Sequence, residues 1–330
     1  MLRTRLTERL KLVHPVLSAP MAFMAGGALA SAVSEAGGLG LIGGGFSDAD
    51  WLREQLGLAG NRAVGCGFIT WHLHEWAELL DIALEHRPRA LFLSFGDPAP
   101  FAPAIKRSGT LLICQVQNLS DARRAIEVGA DVLVAQGAEA GGHGDTRATL
   151  TLVPEVADLI AANSPETLLC AAGGIADGRG LAAALTLGAD GVLMGSRFYA
   201  SQEARVHQNF RDVTIAASGD DTVRSRVLDL MLGDLWPWPE RYSFRTVRSE
   251  ATDQWHGREA ELQASLKADT GLSAQALGAL ASGDTRTLNA IVGEAAGLIH
   301  SIAPAGEILE TVVREAETIL RQKAPAWLSD

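Results

Sequence analysis

Short apolar runs, each bounded by Gly, Pro or Asp, alternate with longer stretches of helical period along most of this chain. The runs cover residues 16–19, 39–42, 63–69, 90–94, 111–116, 131–135, 168–172 and 191–194, eight in all, and their length and bounding residues predict buried strands. Helices are predicted between them, among others over 28–35, 49–56, 74–85, 120–128, 153–162 and 177–187. Two of these have start signals: Ser120 and Asp121 ahead of Ala125 and Ile126, and Asp177 ahead of Leu181. Eight successive βα units are the count of a closed (β/α)8 TIM barrel in the α/β class. A doubly wound sheet is the weaker reading, because Ile42, Gly43, Gly44 and Gly45 do not open a G-x-G-x-x-G fingerprint with an acidic residue about 20 positions on.

The eighth run is followed by more residues than one closing helix can use. Residues 304–323 repeat apolar side chains at Ile308, Leu309, Val312, Val313, Ala316, Ile319 and Leu320, the face of a last barrel helix. The pattern therefore predicts a barrel from 1–201 and 286–330 and a lid-like lobe, 202–285, inserted between the eighth strand and the last helix. In the lobe, Trp236, Trp238 and Trp255 suit either the roof of an apolar pocket or packing between helices.

Composition narrows the partners. With 47% hydrophobic and 20% charged residues the chain is an ordinary globular one, and a formal charge of −11 argues against nucleic acid or an anionic membrane surface. No run of about 18 apolar residues occurs, and the charged N-terminus has no signal-peptide core, so a cytoplasmic protein is expected. Cys66, Cys114 and Cys170 sit in apolar runs as small buried hydrophobes, and His72 and His74 lack further ligands at metal spacing, so no metal is expected.

The candidate chemistry lies at the strand ends, where barrels place it. After the sixth run comes EAGGHGD (139–145), in which His143 follows two glycines that let a ligand approach the backbone. Gly173, Gly174 and Ile175 end the seventh run, and Gly195 and Ser196 end the eighth. Bare N–H groups there, helped by helix N-termini and the Ser196 hydroxyl, suit a phosphate. Ala19, Pro20 and Met21, with Gly65, Gly67, Gly141 and Gly142, offer flat, close backbone beside a large planar ring. Flavin mononucleotide (FMN) fits both halves of that description.

Taken together, APM (19–21), SEAGGLG (34–40), VGCGF (64–68), AQGAEAGGHG (135–144), AAGGIADGRG (171–180) and GADGVLMGSRF (188–198) make the chain resemble the nitronate monooxygenase family, formerly called 2-nitropropane dioxygenases. The resemblance implies an FMN-containing barrel with a lid-like second domain. It places phosphate at Gly173, Gly174, Gly195 and Ser196, His143 facing the flavin, and Ala19, Pro20, Met21, Gln115 and Gly142 along it. Gln115 and Gly67 depart from relatives that carry Lys and Asn there. The implied reaction is oxidation of alkyl nitronates or nitroalkanes by O2 to carbonyl compounds and nitrite, with His143 as general base and Glu139 as a candidate to orient it. The family also resembles flavin-dependent enoyl-acyl-carrier-protein reductases and contains NAD(P)H:quinone reductases, so an NAD(P)H-dependent reductase is the alternative, and a flavin-binding sensor without turnover a third. The partners are then a small-molecule substrate and O2. The oligomeric state stays open, with a homodimer among the candidates.

Overall fold

A computed structural model describes every residue except 1, 47, 234, 269–270, 324–325 and 327–330, the last group falling at the end of the segment expected to complete the barrel. The strands are β1 (Val16–Ser18), β2 (Leu41–Gly43), β3 (Gly65–Ile69), β4 (Ala90–Ser94), β5 (Leu111–Val116), β6 (Val132–Gln136), β7 (Gly142–Gly144), β8 (Leu168–Ala172), β9 (Gly191–Met194), β10 (Thr222–Ser225) and β11 (Ser243–Val247). Eight of them form one parallel sheet in the order β1-β9-β8-β6-β5-β4-β3-β2. The ring closes where Ser18 N–H donates to Leu39 O and Leu39 N–H to Val16 O, both at 3.1 Å. This is a TIM barrel, and its strands coincide with the eight apolar runs to within two residues.

Side chains alternate along each strand, so one set fills the barrel and the other faces the helices. Ala90, Phe92, Ile113, Val132, Val134, Leu168 and Cys170 belong to the inner core, where Leu6 and Leu10 of the N-terminal helix join them. Leu91, Leu93, Leu112, Leu133 and Leu169 pack outward. All three cysteines are buried and unpaired, and burial pushes the Cys66 and Cys114 thiols up to about 12.

Helix ends depart from the sequence pattern for identifiable reasons. The stretch expected to be helical over 74–85 is helical only over Glu78–Glu85, with a separate turn, Thr70–Leu73, ahead of it, because residues 74–78 are exposed and the buried face resumes only at Leu79 and Leu80. The helix Leu119–Glu127 is capped by Asn118, whose side chain accepts from Asp121 N, and Ser120 and Asp121 lie inside it.

Beyond Ser201 the chain leaves the barrel, and it rejoins it at Ala303, which pairs with Ser201 in a single bridge. The excursion contains β10, β11 and the helices Gln208–Ala216, Val227–Met231, Glu250–Trp255, Glu259–Ala268 and Gly271–Ser282, around a core that includes Phe210, Leu228, Leu262 and Ala276. Its β11 pairs antiparallel with β10 on one side and with β7 on the other. The helix Ala305–Thr318 then buries Ile308, Leu309, Val312, Val313 and Ala316 against the barrel.

Candidate active site

Inward-pointing residues at the C-terminal strand ends make the floor of a deep cavity: Gly67 on β3, Ser94 on β4, Gln115 on β5, Gln136 on β6 and Ala172 on β8. Of the residues singled out in the sequence, Ala19, Pro20, Met21, Gly67, Gln115, Gly141, Gly142, His143, Gly173, Gly174, Ile175, Gly195 and Ser196 line that cavity, whereas Gly65, packed against Leu41 and Ala90, and Glu139 do not. Close packing explains one departure. A Cβ at Gly67 would stand 2.4 Å from Pro20 Cβ and Cγ, so an asparagine there would push Pro20 off the floor. Gln115 Nε2 donates to Gln136 Oε1 at 3.2 Å, as does Gln117 Nε2 at 3.0 Å, and Gln136 Nε2 donates in turn to His143 O at 3.2 Å.

The glycine loops supply a backbone cradle. Gly173 and Gly174 adopt φ of 100° and 73°, left-handed conformations that favour glycine. Among the described residues, no hydrogen bond uses the N–H of Gly173, Gly174 or Gly195. Ser196 Oγ accepts from Gly293 N at 2.9 Å, which turns its own proton outward as a donor. At the helix Gly178–Thr186 the first N–H groups are already taken, because Asp177 accepts from Arg179 N and Gly180 N, whereas Gly195 and Ser196 open the short helix Ser196–Tyr199, which has no side-chain cap.

His143 lies on β7, where the sequence pattern predicts a loop, because the partner strand β11 is remote in the chain. It stands opposite Phe244 of β11, ring centroids 4.5 Å apart, and its other face stacks on Trp238 at 3.3 Å and 11°. Arg224 and Arg245 both donate to Ala138 O, and Arg224 also to Ala140 O at 2.8 Å, so two guanidiniums hold the turn leading into β7. Burial and the neighbouring Arg245 bring Arg224 down to about 10, still charged at neutral pH.

The partner of the imidazole is Asp229, whose Oδ1 lies 2.6 Å from His143 Nε2. Side chains at 11% and 5% exposure make both groups poorly hydrated. Burial holds His143 below its usual pKa, and Asp229 pulls it back up without cancelling the effect. The neutral imidazole therefore carries its proton on Nε2, facing Asp229, and presents a lone pair at Nδ1. Glu139, the sequence candidate for this orienting role, is engaged elsewhere: it accepts from Thr149 N and from Thr149 Oγ1 at 2.8 Å, which also explains why that helix starts at Thr149 and not at 153. Asp229 was missed. Its signal was a lone carboxylate in the apolar helix VLDLM.

A parallel barrel whose C-terminal rim holds an apolar cavity, a backbone cradle and one histidine–carboxylate pair has the construction of an enzyme. Its sequence matches the family model for nitronate monooxygenase over residues 3–61 and 58–315. The chain belongs to the nitronate monooxygenase family, a family of oxidoreductases. It is 36% identical to the nitronate monooxygenase npaC of Metarhizium robertsii, covering 92% of this chain and 91% of that one. It is 33% identical to a nitronate monooxygenase of Neurospora crassa over 93% and 90% of the two chains. Among solved structures, FabK from Thermotoga maritima superposes with a TM-score of 0.83 at 32% identity, covering 99% of this chain and 100% of that one.

Proposed function

We propose that this protein is an FMN-dependent nitronate monooxygenase that converts nitroalkanes and their nitronates, with O2, to carbonyl compounds and nitrite. The observation that carries this reading is the His143–Asp229 pair set in the same cavity as the glycine cradle. Gly173, Gly174, Gly195 and Ser196 would hold the phosphate by backbone N–H groups and one hydroxyl, and Ala19, Pro20, Met21, Gln115 and Gly142 would lie along the ring. Bound there, FMN would supply the redox chemistry between the substrate and O2.

The protein's own part is proton handling and exclusion of water. Nδ1 of His143 takes the proton from the carbon bearing the nitro group, and Asp229 stabilises the imidazolium that results. Trp238 and Phe244 fix the ring plane and keep water from it. With a preformed nitronate, a protonated His143 donates to the nitronate oxygen. In this reading the excursion carrying β10 and β11 is the lid, and the enzyme works in the cytoplasm. No helix among the described residues is long and apolar enough to cross a membrane.

The test is aerobic turnover of a small alkyl nitronate without NADH, which should consume O2 and release nitrite. Rapid anaerobic bleaching of the flavin by NADH or NADPH, with nitronates leaving it oxidised, would replace this reading with the reductase. His143→Asn should keep its FMN and lose about 10²- to 10⁴-fold on neutral nitroalkanes, with a smaller loss on preformed nitronates.

A further inference from the structure

The cavity extends well past the histidine, and its outer part is built differently from its floor. Polar groups gather at the floor, on Ser94, Gln115, Gln136 and Ser196. Beyond them, Leu228, Leu232, Ala276, Leu277, Leu280 and Ile291 form an aliphatic wall, and Leu277 at its outer end is 44% exposed. Phe46, Phe95, Trp236 and Trp238 make a second, aromatic wall, with Phe46 and Trp236 stacked at 4.8 Å. Among the described residues no Lys or Arg lines the cavity, and its one carboxylate is Asp229, already held by His143.

These walls select among substrates. A small nitronate such as that of nitroethane leaves both untouched. An alkyl tail would exclude water from them at every added methylene, whereas a tail ending in a carboxylate would lose its hydration, find no cation and approach the charge of Asp229. We propose that the substrate is a medium- to long-chain nitro compound with an uncharged apolar tail, seated between the aliphatic and aromatic walls, and that tails ending in an anion are rejected. This deepens the nitronate reading and rests on it for the reacting group only.

The experiment compares holoenzyme kcat/KM for nitronates of nitroethane, 1-nitrobutane and 1-nitrohexane with that of 3-nitropropionate. The uncharged series should rise about two- to fourfold per methylene, and 3-nitropropionate should fall at least tenfold below 1-nitrobutane. Leu280→Lys should flatten the series and improve 3-nitropropionate. Leu277→Lys, at an exposed position that folding tolerates, should do the same to a smaller degree. A flat series, or equal use of 3-nitropropionate and 1-nitrobutane, would overturn the proposal while leaving nitronate oxidation intact. Should no nitronate be oxidised, the functional reading fails, and anaerobic calorimetric titration of the neutral nitroalkanes into holoenzyme decides the tail site alone: affinity rising with chain length supports it, and equal affinity overturns it.

Discussion

Asp229 and His143 are 86 residues apart in the chain and meet at 2.6 Å, one from a short helix of the excursion, the other from a strand that leads out of the barrel. The histidine–carboxylate pair is thus assembled from two parts of the molecule. The barrel brings the ring to the cavity, and the excursion decides which nitrogen carries the proton.

Replacing Asp229 by Asn removes the influence that raises the His143 pKa, while burial continues to lower it. In the proposed reaction neutral nitroalkanes need the unprotonated ring, so their kcat/KM should rise with pH through that pKa. Preformed nitronates need the protonated ring and fall through it. In Asp229→Asn both transitions should move to lower pH, with roughly a tenfold or greater loss on neutral nitroalkanes. Unmoved pH profiles would show that Asp229 does not act through His143.

Gly195→Asp should release FMN from an otherwise folded protein. Gly195 has a φ of −101°, and a Cβ there meets nothing closer than Ala19 Cβ at 3.6 Å, so the backbone accepts the change. The new carboxylate would oppose the phosphate directly. Gly174 is the poorer site for this test, since its φ of 73° strains any other residue. Flavin content after desalting, with circular dichroism as the folding control, gives the answer.

Gly67→Ala should lower stability by roughly 1–3 kcal/mol and weaken FMN together, because the added methyl has to displace Pro20 from the cavity floor. Thermal unfolding of apoprotein separates the packing cost from the loss of cofactor. An unchanged midpoint would show that Pro20 yields freely.

Acid should destabilise the fold through its buried histidines. His14, His72 and His143 are all held below the usual range, by burial first. As the pH falls through about 6.5 the unfolded chain takes up these protons before the native one does. The stability they contribute is full above that value and is lost as pH falls through the folded pKa values. Unfolding midpoints should drop from pH 7.5 to pH 5.5, and His72→Gln should make the drop shallower.

Much of the barrel was legible in the sequence because each strand is a continuous apolar run, buried on both faces, between turn residues. Runs such as Ala90–Ser94 and Leu168–Ala172 have the same limits in sequence and structure. On the floor, Gly67 and Gln115 were legible, but Ser94 and Gln136 were not, being polar side chains that end apolar runs without any local signal. What escaped was everything set by distant pairing. Nothing near Gly142–Gly144 announces a strand whose partner is Ser243–Val247, and nothing near His143 points to Asp229. Glu139, close in sequence and of the right chemistry, was the natural candidate, yet the first turn of the helix beginning at Thr149 had a stronger claim on it, a backbone N–H and a hydroxyl together.

The pairing of β7 with β11 also limits how the enzyme can breathe. A main-chain ladder rivets the histidine-bearing strand to the excursion, so a hinge that swung the excursion clear of the barrel would have to tear a sheet or carry His143 away with it. Among the lining side chains, Leu277 is 44% exposed and can change rotamer without disturbing that ladder. With that ladder intact, the imidazole of His143 stays in register with the glycine cradle, and movement around the cavity is left to rotamers and short loops.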